Sequence, residues 1–568
     1  MRLTEPITRK RNVLPVVKSQ DQSPSLSSCK STTYYRALAI LQSPMLLSLP
    51  PEIWLKIASF IPADELHRSK LYSVNRTLLW YYLEARYSHL HIDYSLRSNV
   101  LGGVMKSIQN LHVLNSPFMA PAGITKELEL TFCDQLPSKL ALRLVSRINA
   151  TLQRKPGLIP AEQRDTTDTA PPFPPLSTIA HRLSQFTSLT TIKCNLSSAY
   201  SNPHIIPLRS ILVSGVSAAW KSSQSTLTSL TINIYAPCVP KLGLSDIVFP
   251  HLQSFSLSVG SDWSTQPLDG DSFDKANKAL ASFFTAHRST LTSLTLISKS
   301  RPESRSLLTN IPHLPHLNSL TFHFDCYQQA EIVHPMIQLL ELHSEQLESL
   351  GLHLTMHHAE AMSRWHATPE PVDGCLSDLP GWSPSGCRLM DIVLPKMECL
   401  AINVTEFHIM RALITKHIPQ LKILKVERLI NNQNAESLLD AISASSCSEL
   451  RSLEMQVNGF DARLLQHLSR SLPTLNTLEL QYYSLDSRAW PGLDEQQEVL
   501  KAAIEQFAST PPCAAWALEN ISLKRYTELK NEPRELRSAL VGALPNVKII
   551  NGWRRDEFVD EGRISWKR

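Results

Sequence analysis

The chain has 568 residues, 43% of them apolar and 19% charged, which describes a folded protein too long for one ordinary core. Its net charge is only +5 and the basic residues are dispersed, so a nucleic-acid footprint is not expected. No pair of its ten cysteines has zinc-ribbon or redox spacing, and no apolar run reaches the ~18 residues of a membrane span. The expected setting is reducing, cytoplasmic or nuclear, without metal, cofactor or membrane partner.

Residues 1–44 are rich in Ser, Thr, Lys and Arg without sustained periodicity and read as a tail. Pro50 and Pro51 then suit the opening of a helix, where no amide hydrogen is needed. Ile53, Ile57, Phe60 and Ile61 recur at helical spacing on one face, and Trp54 and Ala58 widen the apolar stripe. Pro62 stops this helix. Asp64 offers an N-cap for a second running through Leu66 and Leu71 to Val74, and Asn75 for a third with Leu78, Leu79, Tyr82 and Leu83.

The order Leu49-Pro50-x-Glu52-Ile53, Ile57, Phe60-Ile61-Pro62, Leu66 and Leu71-x-x-Val74-Asn75-Arg76 resembles the F-box, fungal forms in particular. The resemblance covers about residues 45–90. It implies three helices that dock on a Skp-type adaptor, and through it on a cullin. Leu49, Pro50, Ile53, Ile57, Phe60, Ile61, Leu66, Leu71 and Val74 would make that contact. The Leu66–Val74 spacing is wider than the commoner one in the family.

Beyond it, 91–188 reads as a transition segment. His89–Tyr94 looks like a first strand, and Leu128 and Leu130 alternate with Glu127 and Glu129 in a second. A Pro-rich loop is expected at 155–177, an insertion at 363–390 and a C-terminal tail at 554–568. From residue 189 to about 553 the pattern L-x-x-L-x-L takes over. It appears as Leu189/Ile192/Cys194, Leu227/Leu230/Ile232, Leu252/Phe255/Leu257, Leu291/Leu294/Leu296 and Leu317/Leu320/Phe322. It continues as Leu347/Leu350/Leu352, Met397/Leu400/Ile402, Leu421/Leu424/Val426, Leu450/Leu453/Met455, Leu475/Leu478/Leu480 and Leu518/Ile521/Leu523. Helical patterns intervene at Phe273–Phe283, Ile337–Leu340, Leu438–Ile442, Leu464–Leu468 and Val499–Phe507.

Strand and helix alternating at intervals of about 25–30 residues predict an α/β solenoid with a parallel sheet. The pattern resembles leucine-rich repeats, which frequently follow an F-box, but their Asn/Cys ladder after the last strand Leu is nearly absent. The turns must be held by other groups, and an irregular array with a concave parallel sheet is expected.

Residues between the core positions should line the open face of that sheet. In its first half these are short or weakly polar, as at Thr231, Ser256, Thr321 and Gly351, with His323 and His353 among them. In the second they are long and charged. Lys425, Glu427, Glu454, Gln456, Glu479, Gln481 and Lys524 are the candidate substrate contacts. Glu427, Glu454 and Glu479 in register would favour a basic segment on a protein partner. His353, His357, His358, Glu360 and His366 lack zinc-protease spacing, and no phosphate loop or nucleophile motif is present. The reading is therefore a non-catalytic, substrate-recognition subunit of a Skp–cullin–F-box ubiquitin ligase, or alternatively a repeat scaffold without a ligase role.

Overall fold

The computed structural model describes residues 56, 83–84, 87–93, 124–131, 183–196, 216–235, 238–260, 270–298, 304–325, 330–355, 388–445, 449–484, 504, 516–525 and 540–554. Leu49, Pro50, Ile53, Ile57, Phe60, Ile61, Leu66, Leu71 and Val74 lie outside the described residues, as do the tail 1–44, the Pro-rich 155–177 and most of 363–390. The chain divides between Ser88 and His89, and the sheet belongs wholly to the second part.

That sheet has 15 strands in strictly sequential order. They are β1 (His89–Asp93), β2 (Glu127–Thr131), β3 (Thr191–Asn195), β4 (Ser229–Tyr235), β5 (Ser254–Gly260), β6 (Ser293–Ser298), β7 (Ser319–Asp325) and β8 (Ser349–Thr355). Then follow β9 (Cys399–Val404), β10 (Ile423–Ile430), β11 (Ser452–Gly459), β12 (Thr477–Ser484), β13 (Asn520–Arg525), β14 (Ile549–Ile550) and β15 (Trp553–Arg554). β1 to β14 are parallel. Each strand thus pairs with its chain neighbours, the topology of a repeat solenoid. β1 and β2, from the stretch read as a transition, are part of the same ladder.

The triplets lie in register. Leu128 faces Ile192, then Leu230, Phe255, Leu294, Leu320, Leu350, Leu400, Leu424, Leu453, Leu478 and Ile521 across successive strands. All are buried, as are the leading residues Leu189 to Leu518. Single strands cannot bury these faces, so stacking of repeats supplies the core. A backbone device sets the stagger. The carbonyl just before each strand accepts two amides from the next repeat, from Lys126 (Thr190 and Thr191) through Asn318 (Glu348 and Ser349) to Glu519 (Lys548 and Ile549).

The crossover helices include α1 (Gly270–Ala286), α2 (Ser304–Thr309), α3 (Ala330–His343), α4 (Phe407–His417), α5 (Asn432–Ala444) and α6 (Ala462–Ser471), with further helical residues at 216–222 and 540–543. α5 and α6 start on side-chain caps: Asn431 accepts from the Asn434 amide and Asp461 from the Leu464 amide. The residues 499–507 read as helical lie outside the described residues apart from Ile504. α4 was not anticipated, although Ile409, Met410, Leu413 and Ile414 form its buried face.

Buried histidines hold several turns in place of an Asn ladder. His287 follows α1, with Nδ1 2.7 Å from the Phe283 carbonyl while Nε2 accepts from the Phe249 amide at 2.8 Å. His343 ends α3 in the same way, with Nδ1 2.8 Å from the Leu339 carbonyl and Nε2 accepting from the Leu314 amide at 3.0 Å. Each sits four residues before the leading Leu of its triplet and is 1% exposed. These partners select the neutral imidazole with its proton on Nδ1. A second proton would face an amide N–H, and burial pushes both imidazoles below their ordinary value. His417 occupies the same offset before Leu421, and burial beside Lys416 pushes it down to about 4. Gln346 and Gln420 donate to the Leu314 and Leu394 carbonyls of the preceding turns.

Histidines that must stay neutral to fold give a pH dependence of definite sign. Their folded values lie below the unfolded ~6.5, so their contribution is complete above that value and is lost as pH falls below it. The urea midpoint should therefore fall between pH 7 and pH 5. The double variant His287→Gln, His343→Gln keeps a donor and an acceptor but cannot titrate, and should show a shallower slope. His343→Ala strands the Leu314 amide and should cost about 1–3 kcal/mol at pH 7.

Candidate functional site: the open face of the sheet

The face opposite the core is built from alternate strand residues. One register row runs Ser229, Ser254, Ser293, Ser319, Ser349 and Cys399, and the next Thr231, Ser256, Thr295, Thr321, Gly351 and Ala401. From β4 to β9 the floor is therefore short and uncharged. Gly351 is required there by proximity, since a Cβ would lie 2.6 Å from the Thr321 methyl carbon and 2.8 Å from its hydroxyl. Farther along the strands, His323 of β7 and His353 of β8 share one register position. Their rings stack with centroids 3.8 Å apart and planes within 8°.

β10 breaks the ladder beside them. Val426 pairs with Met455, but the next partner of β11 is Leu429 opposite Gln456, so Glu427 and Arg428 are extra residues in a bulge. Arg428 fastens it by donating to the Val404 carbonyl at 3.0 Å. Glu427 reaches past β9 and places Oε2 3.1 Å from Nδ1 of His353, which is 7% exposed. The hydrogen bond from His353 holds the Glu427 carboxyl below its ordinary value despite partial burial. Burial, with His353 alongside, pushes His323 down to about 4, and Glu427 only partly offsets this.

The charged end of the face differs from the stripe expected from sequence. Lys425, not Glu427, is in register with Glu454 and Glu479. Strand count is the reason: Lys425 pairs with Glu454 ahead of the bulge, an unbroken ladder would set Glu427 opposite Gln456, and the bulge takes it out of that row too. Lys425 lies 3.2 Å from Glu454 and Lys524 2.5 Å from Glu479. The hydrogen bond to Glu454 raises the Lys425 ammonium above its ordinary value. Gln456, Gln481 and Lys524 form the neighbouring row. The expected contacts Lys425, Glu454, Gln456, Glu479, Gln481 and Lys524 thus adjoin one another. Glu427 stands apart with the histidines.

His353 belongs to this imidazole–carboxylate cluster, whereas His357, His358, Glu360 and His366 lie outside the described residues. Its partnership with His323 was readable, because both follow the last core residue of consecutive triplets, Phe322 and Leu352. The bulge carries no comparable sign. Among the described residues no group of three or more His, Cys, Asp or Glu is placed to hold a metal ion. Also among them, no helix is long and apolar enough to cross a membrane. The open face offers hydroxyls and amides, with imidazole edges and a carboxylate at this cluster, which suits recognition of a polar surface by hydrogen bonds and charge.

No family profile and no curated protein matches this chain. Among solved structures, the crystal structure of a Rad7 and Elc1 complex in yeast is similar over 83% of this chain and 97% of that one. The sequence identity is 14% and the TM-score 0.35, a likeness that carries no statement about activity or partners.

The close approach of β7 and β8 at Gly351 is testable by a double-mutant cycle. Gly351→Val should destabilise by about 1–3 kcal/mol through overpacking against Thr321. Thr321→Ala in the same chain should recover part of the loss, read as non-additive shifts of the urea midpoint.

Proposed function

We propose that this chain is a substrate-recognition subunit of a Skp–cullin–F-box ubiquitin ligase. The adaptor half of the reading rests on residues 49–76, whose Leu-Pro-Pro-Glu-Ile opening and Val-Asn-Arg close resemble the F-box. The observation that carries the recognition half is the continuous open face of the sheet, polar and register-matched from β2 to β13. A solenoid presents such a face without closing a pocket around it, which suits a protein ligand better than a small molecule. On this reading the chain supplies no nucleophile. It brings a target protein near a ubiquitin-charged enzyme, and the rate gain comes from proximity. A stable docking surface of this kind buries on the order of 1,600 Å² in total.

A second reading is a repeat scaffold without a ligase role, favoured by the wide Leu66–Val74 spacing. Co-purification with a Skp-type adaptor, followed by sizing with light scattering, separates the two. The intact chain should form a 1:1 complex, and the double variant Leu49→Asp, Ile53→Asp should lose it, because each carboxylate would be stranded at an apolar contact. Failure of the intact chain to bind would make the scaffold the better description.

A further inference from the structure

We infer that Glu427 is the docking point for a basic side chain, lysine or arginine, of the protein bound on the open face. This rests on reading that face as the partner surface, and it names the chemistry of the partner.

The open face of β10 to β13 carries three carboxylates, Glu427, Glu454 and Glu479, and two lysines, while Arg428 of the bulge donates to the Val404 carbonyl. Lys425 contacts Glu454, and Lys524 contacts Glu479. Glu427 has no lysine in contact; its partner is the imidazole of His353, bound through Oε2. Oε1 makes no hydrogen bond among the described residues, and the side chain is 35% exposed. A carboxylate with one oxygen held and the other open is an acceptor for a charge-assisted hydrogen bond.

The position looks built rather than incidental. The bulge that carries Glu427 interrupts an otherwise regular run of core pairs and aims the carboxylate past β9 toward β8. On that side lie Gly351 and Ala401, the two smallest residues of their row. A partner chain can approach the sheet closely over these two residues, and the next member of their row, Lys425, is turned to Glu454. An acidic partner segment would meet an anion and gain nothing from the two lysines, both already committed.

The test uses the intact chain, immobilised, with equimolar pools of short peptides that are random except for one fixed central residue. Separate pools fix lysine, arginine, glutamine or glutamate. The lysine and arginine pools should be retained preferentially. Glu427→Gln keeps the side-chain shape and an acceptor for His353 while removing the charge. It should lower retention of the basic pools by roughly ten- to a hundredfold. On the unmodified chain, retention of those pools should also weaken as salt rises. That second measurement stands even if the variant misfolds.

The inference is overturned if the glutamine or glutamate pools are retained as well as the basic ones, or if no pool is retained. It is equally overturned if the basic preference survives Glu427→Gln in a folded protein, or is indifferent to salt. Adaptor capture, run on the same preparation, reports on the ligase reading separately. It can fail while the peptide preference stands, and the reverse.

Discussion

A carbonyl that accepts two amides at once is the constraint on which the sheet depends. Parallel strands have evenly spaced, slanted hydrogen bonds and no hairpin to set their stagger. Here the stagger is imposed at the entry of each strand from β3 to β14, where one oxygen, such as that of Gln253 or Lys422, bonds two successive amides of the next repeat. A slip by one residue would turn each core Leu to the open face and each Ser or Thr inward. The doubled bond and the apolar alternation therefore select the same register, and irregular crossovers are tolerated because none of them has to set it.

Much of this arrangement is written in the residues. The eleven triplets read from sequence occupy equivalent register positions, because L-x-x-L-x-L combines a buried lead-in with period-two alternation, and both follow from strand geometry. Less legible were the devices specific to this chain. The His287 and His343 turns depend on an imidazole meeting an amide of the preceding repeat, far away in sequence. The Glu427–Arg428 bulge arises within a stretch, Lys425-Val426-Glu427-Arg428-Leu429-Ile430, whose alternation continues plausibly through Glu427. Two residues of slack are visible only when the neighbouring strand fixes the count. α4 was missed because its polar His408, Arg411, Lys416 and His417 obscured a short apolar stripe.

The open face combines two kinds of surface that sequence alone separates only crudely. From β4 to β9 it is a floor of hydroxyls and hydrogens, with little side-chain entropy to lose on contact. From β10 to β13 it carries long charged groups, two of whose carboxylates are already neutralised within the sheet. Between them sits the His323–His353–Glu427 cluster. The His323 imidazole resists taking up a second proton, since burial and the neighbouring His353 both oppose it. The cluster is thus a rigid polar centre between an approachable floor and a charged end.

The last two strands have a consequence for the molecule as a whole. β14 and β15 are antiparallel, joined by Asn551 at φ 50° and Gly552 at φ 82°, the left-handed conformations of a tight hairpin. Asn551 also accepts the Leu523 amide at 2.7 Å, taking up a ladder position that two-residue β14 leaves open. A parallel array is open-ended in principle, since any strand of matching pleat can add to its last edge. Here the closing strand is short, reversed in direction and turned by a hairpin, so it offers a poor template for another. Among the described residues this edge of the ladder is thus made by a hairpin and not by a further parallel strand.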